Sequence, residues 1–413
     1  MRTVNLKVDE SEMKSLEKKW GVILRLNQKV MELEEEVERN RQTMIHLRAN
    51  ARGPSKEKKL RGLAALEKIE FPALAQKNEF KGHRDAVTCV SLHESESFLV
   101  TGSSDSTLRV YDIELNVQVA LLRGHTHSVN GVGWWRDQII SGSSDMSIRI
   151  WGSLNKQNTL DFDQFSTIKT LVGHDHSVSR LVVRSNTMIS VSRDTTVKFW
   201  DLEQRICKRT LADPRQEWLR AVDANENYVL VAGNDNRVWV YDYQKLMSSS
   251  REGKSGEKLA EECLITDFPA HENVIESISI SQAVQNDKKK LAYLGVPAEH
   301  ICVTASRDKL VKVFNFMKGD CIISFSGHAN WVKGVRLLAE KGWVLSAGED
   351  KTLRVWSIPK KKQIYLKSGC HSHFLTDVEF DLTRMMVLST SVDKTCKVWS
   401  LLSQNEIRLL GLV

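Results

Sequence analysis

The stretch Ser192–Asp201, SRDTTVKFWD, is written again with small changes as SSDSTLRVYD from Ser103, SSDMSIRIW from Ser143, SRDKLVKVF from Ser306, GEDKTLRVW from Gly348 and SVDKTCKVW from Ser391. In seven units an Asp is followed six residues later by an aromatic: Asp105 and Tyr111, Asp145 and Trp151, Asp194 and Trp200, Asp235 and Tyr241, Asp308 and Phe314, Asp350 and Trp356, Asp393 and Trp399. Upstream of six of these stands a histidine (His83, His125, His174, His271, His328, His371), and only the fourth unit lacks one. The His-to-Asp interval is 20 or 22 residues except in the fifth unit, where it is 37, so an insertion around residues 281–300 is expected there. A chain that repeats one sentence this often is built from copies of one small unit, none of which can cover its own apolar faces alone.

Runs such as TLRVYD, SIRIW and TVKFWD alternate apolar and polar residues between small turn residues, as half-buried antiparallel strands do. Units of about 40 to 45 residues that open on Gly-His and close on a Trp-Asp-like pair read as WD-repeat blades, each a four-stranded sheet. The expected fold is an all-β seven-bladed WD-repeat β-propeller over residues 73–413, preceded by an N-terminal α-helical coiled coil. Four residues before each Asp lies a hydroxyl residue (Thr101, Ser141, Ser190, Thr304, Ser346, Ser389), which with the His, the Asp and a following Trp can form a buried hydrogen-bonded string. Unit four loses hydroxyl and His together, with Val231 in the hydroxyl slot. Tyr111, Tyr241 and Phe314 cannot donate as an indole does, so their three blades should hold the string less completely. Ser, His and Asp also suggest a hydrolase triad, but a catalytic constellation is needed once and this one recurs six times in one structural slot. With no phosphate loop, HExxH or nucleophile elbow either, the reading is a non-enzyme without cofactor. Two segments compete to complete the last blade: the strand-like text from Ala73 and the C-terminal LSQNEIRLLGLV.

Before residue 72 the texture changes. Ile23, Val30, Val37 and Met44 fall at heptad position a, and Leu26, Leu33 and Leu47 at d, with Asn40 at a d position. β-branched residues at a with Leu at d favour a parallel two-stranded coil, so Ile23, Leu26, Val30, Leu33 and Val37 are the expected dimer contacts in an N-terminal segment of residues 1–47. Residues 48–72 read as a basic linker; its first part, RANARGPSKEKKLR, carries six Lys or Arg against one Glu. SSSREGKSGEK from Ser248 and QNDKKK from Gln285 read as surface loops. Composition is that of an ordinary soluble protein, 41% apolar and 27% charged, and a net charge of +7 on 413 residues does not by itself argue for nucleic acid. Seven scattered cysteines without a CxxC pair indicate neither a disulfide framework nor zinc, and point to a reducing compartment. No run of about 18 apolar residues suggests a membrane span.

One further pattern is specific. LEKKWGVILRLNQKVMELE from Leu16 closely resembles the coil segment of the lissencephaly protein and fungal nuclear distribution protein family, WD-repeat regulators of cytoplasmic dynein. The likeness continues in VGHDHSVS from Val172, SVSRDTTVKFWD from Ser190, EWLRAV from Glu217, TASRDKLVKVF from Thr304, GHANWVKGV from Gly327 and EDKTLRVW from Glu349. Matching positions imply that Arg193, Arg220, Arg307, Trp331 and Lys351 contact the dynein motor ring, and that Asp175 and His176 contact its stalk. The resemblance also implies a dynein heavy chain partner, a NudE-type coiled-coil adaptor, a homodimer, and roles in nuclear migration, spindle orientation and minus-end-directed transport. It places the protein in the cytoplasm at microtubule ends and spindle poles. The residues agree in kind, because the positions just before Asp194 and Asp308 lie in strand-connecting turns and an exposed Trp among cations has the composition of a hot spot. The family normally begins with a short helical homology module, expected here to be missing, which would leave dimerisation to the coil alone. The rival expectation is a scaffold or adaptor for another protein complex. Nucleic-acid binding would rest on the basic linker alone.

Overall fold

The computed structural model describes residues 73–153, 160, 162–212, 216–248, 256–282, 296–381 and 383–402. The expected coiled coil, the linker and the C-terminal strand candidate after Leu402 lie outside them. Among the described residues 28 strands form seven four-stranded antiparallel sheets. Six sheets run outward in chain order: β2 to β5 (Val87–Leu92, Phe98–Ser103, Thr107–Asp112, Val117–Arg123), β6 to β9 (Val129–Trp135, Gln138–Ser143, Ile148–Ser153, Phe165–Leu171) and so on through β25 (Lys362–Ser368). The seventh takes β26 (Leu375–Asp381), β27 (Met386–Ser391) and β28 (Cys396–Leu402) from one end of the chain and β1 (Ala73–Phe80) from the other. Strand β1 pairs antiparallel with β28, from Ala73 opposite Leu402 to Phe80 opposite Cys396. The N-terminal strand therefore completes the last blade.

The burial pattern follows from the radial arrangement. Second strands such as β7 and β23 (Trp343–Gly348) are buried along almost their whole length, because neighbouring sheets cover both faces. Outermost strands such as β13 (Ile206–Ala212) keep exposed residues. Each innermost strand packs on the next, β2 on β6 and onward to β26 on β2, which closes the ring. These strands surround a central cavity of about 510 Å³. An ion pair between Arg180 and Asp377 (2.6 Å) joins the third blade to the seventh across it.

The hydrogen-bonded string is present in the six blades that carry its residues. His Nδ1 lies 2.7–3.0 Å from the Asp in each, from His83 and Asp105 to His371 and Asp393, and Nε2 lies 2.7–2.8 Å from the hydroxyl. In four blades the indole completes it: Trp151, Trp200, Trp356 and Trp399 donate to Ser141, Ser190, Ser346 and Ser389 at 2.8–2.9 Å. Each serine oxygen thus accepts the indole N–H and also meets the imidazole Nε2, while Nδ1 faces the carboxylate. Where the aromatic is Tyr111 or Phe314 the hydroxyl is a threonine whose oxygen lies 3.4 or 3.5 Å from the carbonyl of Arg109 or Lys312. Blade four has a different bond in place of the string, the indole of Trp239 donating to Asp235 at 2.8 Å. Trp239 occupies a slot that is Arg or Lys in the other six units.

Blade four also corrects the reading of SSSREGKSGEK as a plain loop. Ser248 ends a short helix α1 (Tyr243–Ser248), and Gly256 opens α2 (Gly256–Cys263), which buries Leu259, Ala260 and Cys263 against the blade. In the fifth blade β18 (Ile275–Ile280) and β19 (Ile301–Ser306) flank the insertion, most of which lies outside the described residues.

Candidate partner-binding site

Three slots recur at the end of every blade where the Asp sits. The residue before the Asp is tied by its N–H to the carbonyl of the residue before the innermost strand: Ser104 to Ala86, Ser144 to Ser128, Arg193 to Ser177, Asn234 to Trp218, Arg307 to Val274, Glu349 to Trp331 and Val392 to Phe374, all at 2.8–3.0 Å. These two slots therefore stand side by side on one face. The third is the second residue of the innermost strand (Thr88, Asn130, Ser179, Arg220, Glu276, Lys333, Thr376), which falls at a register shift in all seven blades. A bulge residue leaves the ladder and re-aims its side chain. Directly after the Asp comes a residue in the left-handed region, Lys351 (φ 62) in blade six.

In blades four to six the third slot carries Arg, Glu and Lys in succession, and these three meet. Glu276 is nearly buried; Arg307 donates through Nε to its Oε1 at 2.5 Å, Lys333 donates to Oε2 at 2.9 Å, and Arg220 lies 3.8 Å away. Burial alone would raise the Glu276 carboxyl, but Lys333, Arg220 and Arg307 outweigh it and hold it below its ordinary 4.5. Arg220 also donates to Asn234 at 2.6 Å. The guanidinium of Arg307 lies 4.3 Å from the ring centroid of Trp331, whose side chain is exposed. Three of the expected ring-contact residues, Arg220, Arg307 and Trp331, thus gather around one carboxylate. Lys351 stands apart on the side toward blade seven and donates to the Ser372 carbonyl at 2.9 Å.

Arg193 lies elsewhere on the face, its guanidinium 5.1 Å from the ring of Trp218. Asp175 and His176 sit in the loop before β10 (Val178–Arg184), where the Asp175 N–H donates to Asp194 at 2.9 Å. The His176 ring lies 6.2 Å from the same Trp218.

The family description WD domain, G-beta repeat matches residues 75–112, 116–152, 165–201, 319–357 and 362–400. Nuclear distribution protein PAC1-1 of Uncinocarpus reesii is 30% identical over 384 residues, 88% of this chain and 78% of that protein. Nuclear distribution protein nudF 1 of Talaromyces marneffei is 30% identical over 380 residues, covering 87% and 75%. The chain belongs to the nuclear distribution protein family. A third member, nudF of Aspergillus niger, is 27% identical over 379 residues, covering 88% and 78%. The repeat matches omit blades four and five, the two whose marks depart most from the common sentence. Those blades supply Arg220, Trp218, Glu276 and Arg307. The nuclear distribution protein likeness thus runs through blades where the repeat pattern itself fades.

Sequence reasoning missed Trp218, Glu276 and Lys333. A signal was available in the third slot, where aligning the units sets Arg220, Glu276 and Lys333 against Thr88, Asn130, Ser179 and Thr376. Charge in a slot that is otherwise neutral marks a local demand beyond the blade plan.

Proposed function

We propose that this protein is a non-enzymatic regulator of cytoplasmic dynein that binds the motor ring through the face bearing Arg220, Arg307 and Trp331, with Arg193 and Lys351 at its margins. The observation that carries this reading is the cluster around Glu276: an exposed indole capped by a guanidinium, with two more cations held in place by one buried carboxylate. Preorganised cations around an aromatic anchor lose little freedom on binding, which favours recognition of an acidic protein surface. Non-enzymatic action is supported by the repeated His–Asp–hydroxyl sets, whose side chains are buried and already bonded to one another. The names of its relatives, nuclear distribution proteins, support a role in nuclear distribution. Spindle orientation and minus-end-directed transport, a NudE-type adaptor, a coil-mediated homodimer, and residence at microtubule ends and spindle poles complete the proposal. A binder alters a motor only through different affinity for different motor states, so the regulation is a shift among them.

The test is equilibrium binding of the full chain to purified dynein motor domain. Arg307→Ala and Trp331→Ala should each weaken it by about 1 to 3 kcal/mol while leaving the melting temperature close to wild type. Unchanged affinity in both variants would refute the site.

A further inference from the structure

We infer that Trp218, with Arg193 and His176, forms a second clamp on this face, equivalent to the Arg307–Trp331 clamp, which takes an acidic side chain of the same protein partner. The inference rests on the dynein reading above and extends it to residues that reading does not use together.

The two clamps are copies of one device. In each, the residue before a blade's Asp is an arginine, and it lies over the tryptophan that precedes the next blade's innermost strand: Arg193 of blade three over Trp218 of blade four at 5.1 Å, Arg307 of blade five over Trp331 of blade six at 4.3 Å. Both indoles are exposed, Trp218 by 41% and Trp331 by 36%. A third feature is shared. Two residues before the Asp the other five blades have a serine (Ser103, Ser143, Ser192, Ser306, Ser391), whereas blades four and six have Gly233 and Gly348. A Cβ at Gly233 would stand 2.2 Å from the Trp218 carbonyl oxygen, and one at Gly348 would stand 3.1 Å from that of Trp331. Gly233 makes room for the backbone that carries Trp218, while at Gly348 a Cβ would meet His328 Nδ1 at 2.8 Å and Asp350 Oδ1 at 2.9 Å before the Trp331 carbonyl. Arg, Trp and Gly coincide in these two places only among the seven units.

The clamps differ in restraint. Arg307 is pinned by Glu276, while among the described residues Arg193 makes no ion pair, so its planar N–H edge is available for a carboxylate. His176, its ring 6.2 Å from that of Trp218, joins the expected stalk contact to the expected ring contact through this indole. The two become one continuous surface. The Arg193 edge fits a carboxylate and the exposed Trp218 face fits an apolar side chain, so the occupant is a protein segment that presents the two side by side.

Binding of full-length wild type and variants to purified dynein motor domain, with thermal melts alongside, tests this. Trp218→Ala should weaken binding about tenfold, Trp218→Phe should recover most of the loss, and Arg193→Ala with Trp218→Ala should lose far less than the product of the two single effects, since the residues act as a unit. If Trp331→Ala weakens binding and Trp218→Ala does not, the second clamp is overturned while the dynein reading stands. Trp218→Ala failing to fold, with Trp218→Phe and Arg193→Ala both binding as wild type, also overturns it. Should the wild type not bind the motor at all, both fail together. Tighter binding of a single-stranded RNA oligonucleotide than of the motor, lost in Trp218→Ala, would overturn the assignment to a protein segment.

Discussion

Blades one and two present the same three slots as blades four to six, on the same face, and fill them with opposite chemistry. In the first pair the slots hold Ser104, Ser144, Ala86, Ser128, Thr88 and Asn130. Asn130 donates to the hydroxyl of Ser144 at 2.9 Å and to the Val178 carbonyl at 2.8 Å, and Ser128 donates to Asn130 at 3.1 Å, so the small polar groups satisfy one another. In the later blades the slots hold two tryptophans, two arginines, a lysine and two glutamates, Glu276 of them nearly buried, beside Asn234 and Val274. One backbone plan therefore carries both a wall of self-satisfied polar groups and the charged, aromatic surface proposed to bind the motor. What distinguishes the two is which side chains are given to positions that the blade itself leaves undetermined.

Exchanging the slots should break the contrast most sharply. Giving blades five and six the residues of blade two, as Arg307→Ser with Trp331→Ser, should weaken binding to the dynein motor domain by about 3 kcal/mol, roughly a hundredfold, with little change in the urea midpoint. Retained affinity would mean that the charged blades are not the binding side.

Removing the shared carboxylate comes next. Glu276→Ala leaves Arg220, Arg307 and Lys333 facing one another without a counter-charge and should cost about 2 kcal/mol of folding stability in urea denaturation, with Glu276→Gln costing less. Because its partners hold the Glu276 carboxyl low, the stabilisation it gives is present above its ordinary 4.5 and is lost as pH falls below that value. Asn130→Ala, the matching change in blade two, should cost about 1 kcal/mol and leave motor binding unchanged, since it removes only neutral hydrogen bonds.

The histidine strings are common to both regions and should not separate them. Burial holds His83, His125, His271 and His328 below their ordinary 6.5 despite the adjacent carboxylates. The unfolded chain takes up protons at these groups as pH drops through 6.5 while the folded chain resists, so stability should fall from pH 7 toward pH 5.5. The Asp partners, with Asp105, Asp145 and Asp350 held at about 2 by their hydrogen bonds against the effect of burial, add losses only below about pH 4. Amide exchange corrected for its intrinsic pH dependence should show blades one, two, five and six losing protection together. Blade four, which holds Asp235 with Trp239, should be spared this local loss. A flat stability profile between pH 7 and 5.5 would contradict the neutral buried rings.

Much of this was legible in the sequence, and for identifiable reasons. The Asp-to-aromatic interval and the hydroxyl slot repeat because each blade must satisfy the same buried groups, so seven copies announce the fold and even the incomplete strings at Tyr111, Tyr241 and Phe314. Closure was not legible, because the pairing of Ala73 with Leu402 joins opposite ends of the chain and both ends carry strand-competent text. Helix α2 was hidden by the Ser, Gly and Lys residues around its start, which mask the apolar Leu259, Ala260 and Cys263. Arg307 and Trp331 could be singled out from their turn positions and from resemblance to the dynein regulators. Glu276 shows in the sequence only when the third slots are aligned, since a lone Glu after an isoleucine otherwise looks like any solvated charge until the bulge turns it toward cations from two neighbouring blades.

The most direct measurement is amide hydrogen exchange of the full chain with and without saturating dynein motor domain. Protection should rise at 192–195, 217–221, 273–277, 306–309, 330–333 and 349–352, and stay unchanged at the matching segments 84–88, 103–106, 126–130 and 143–146 of blades one and two. Protection centred on the latter segments, or spread evenly around the ring, would contradict the account.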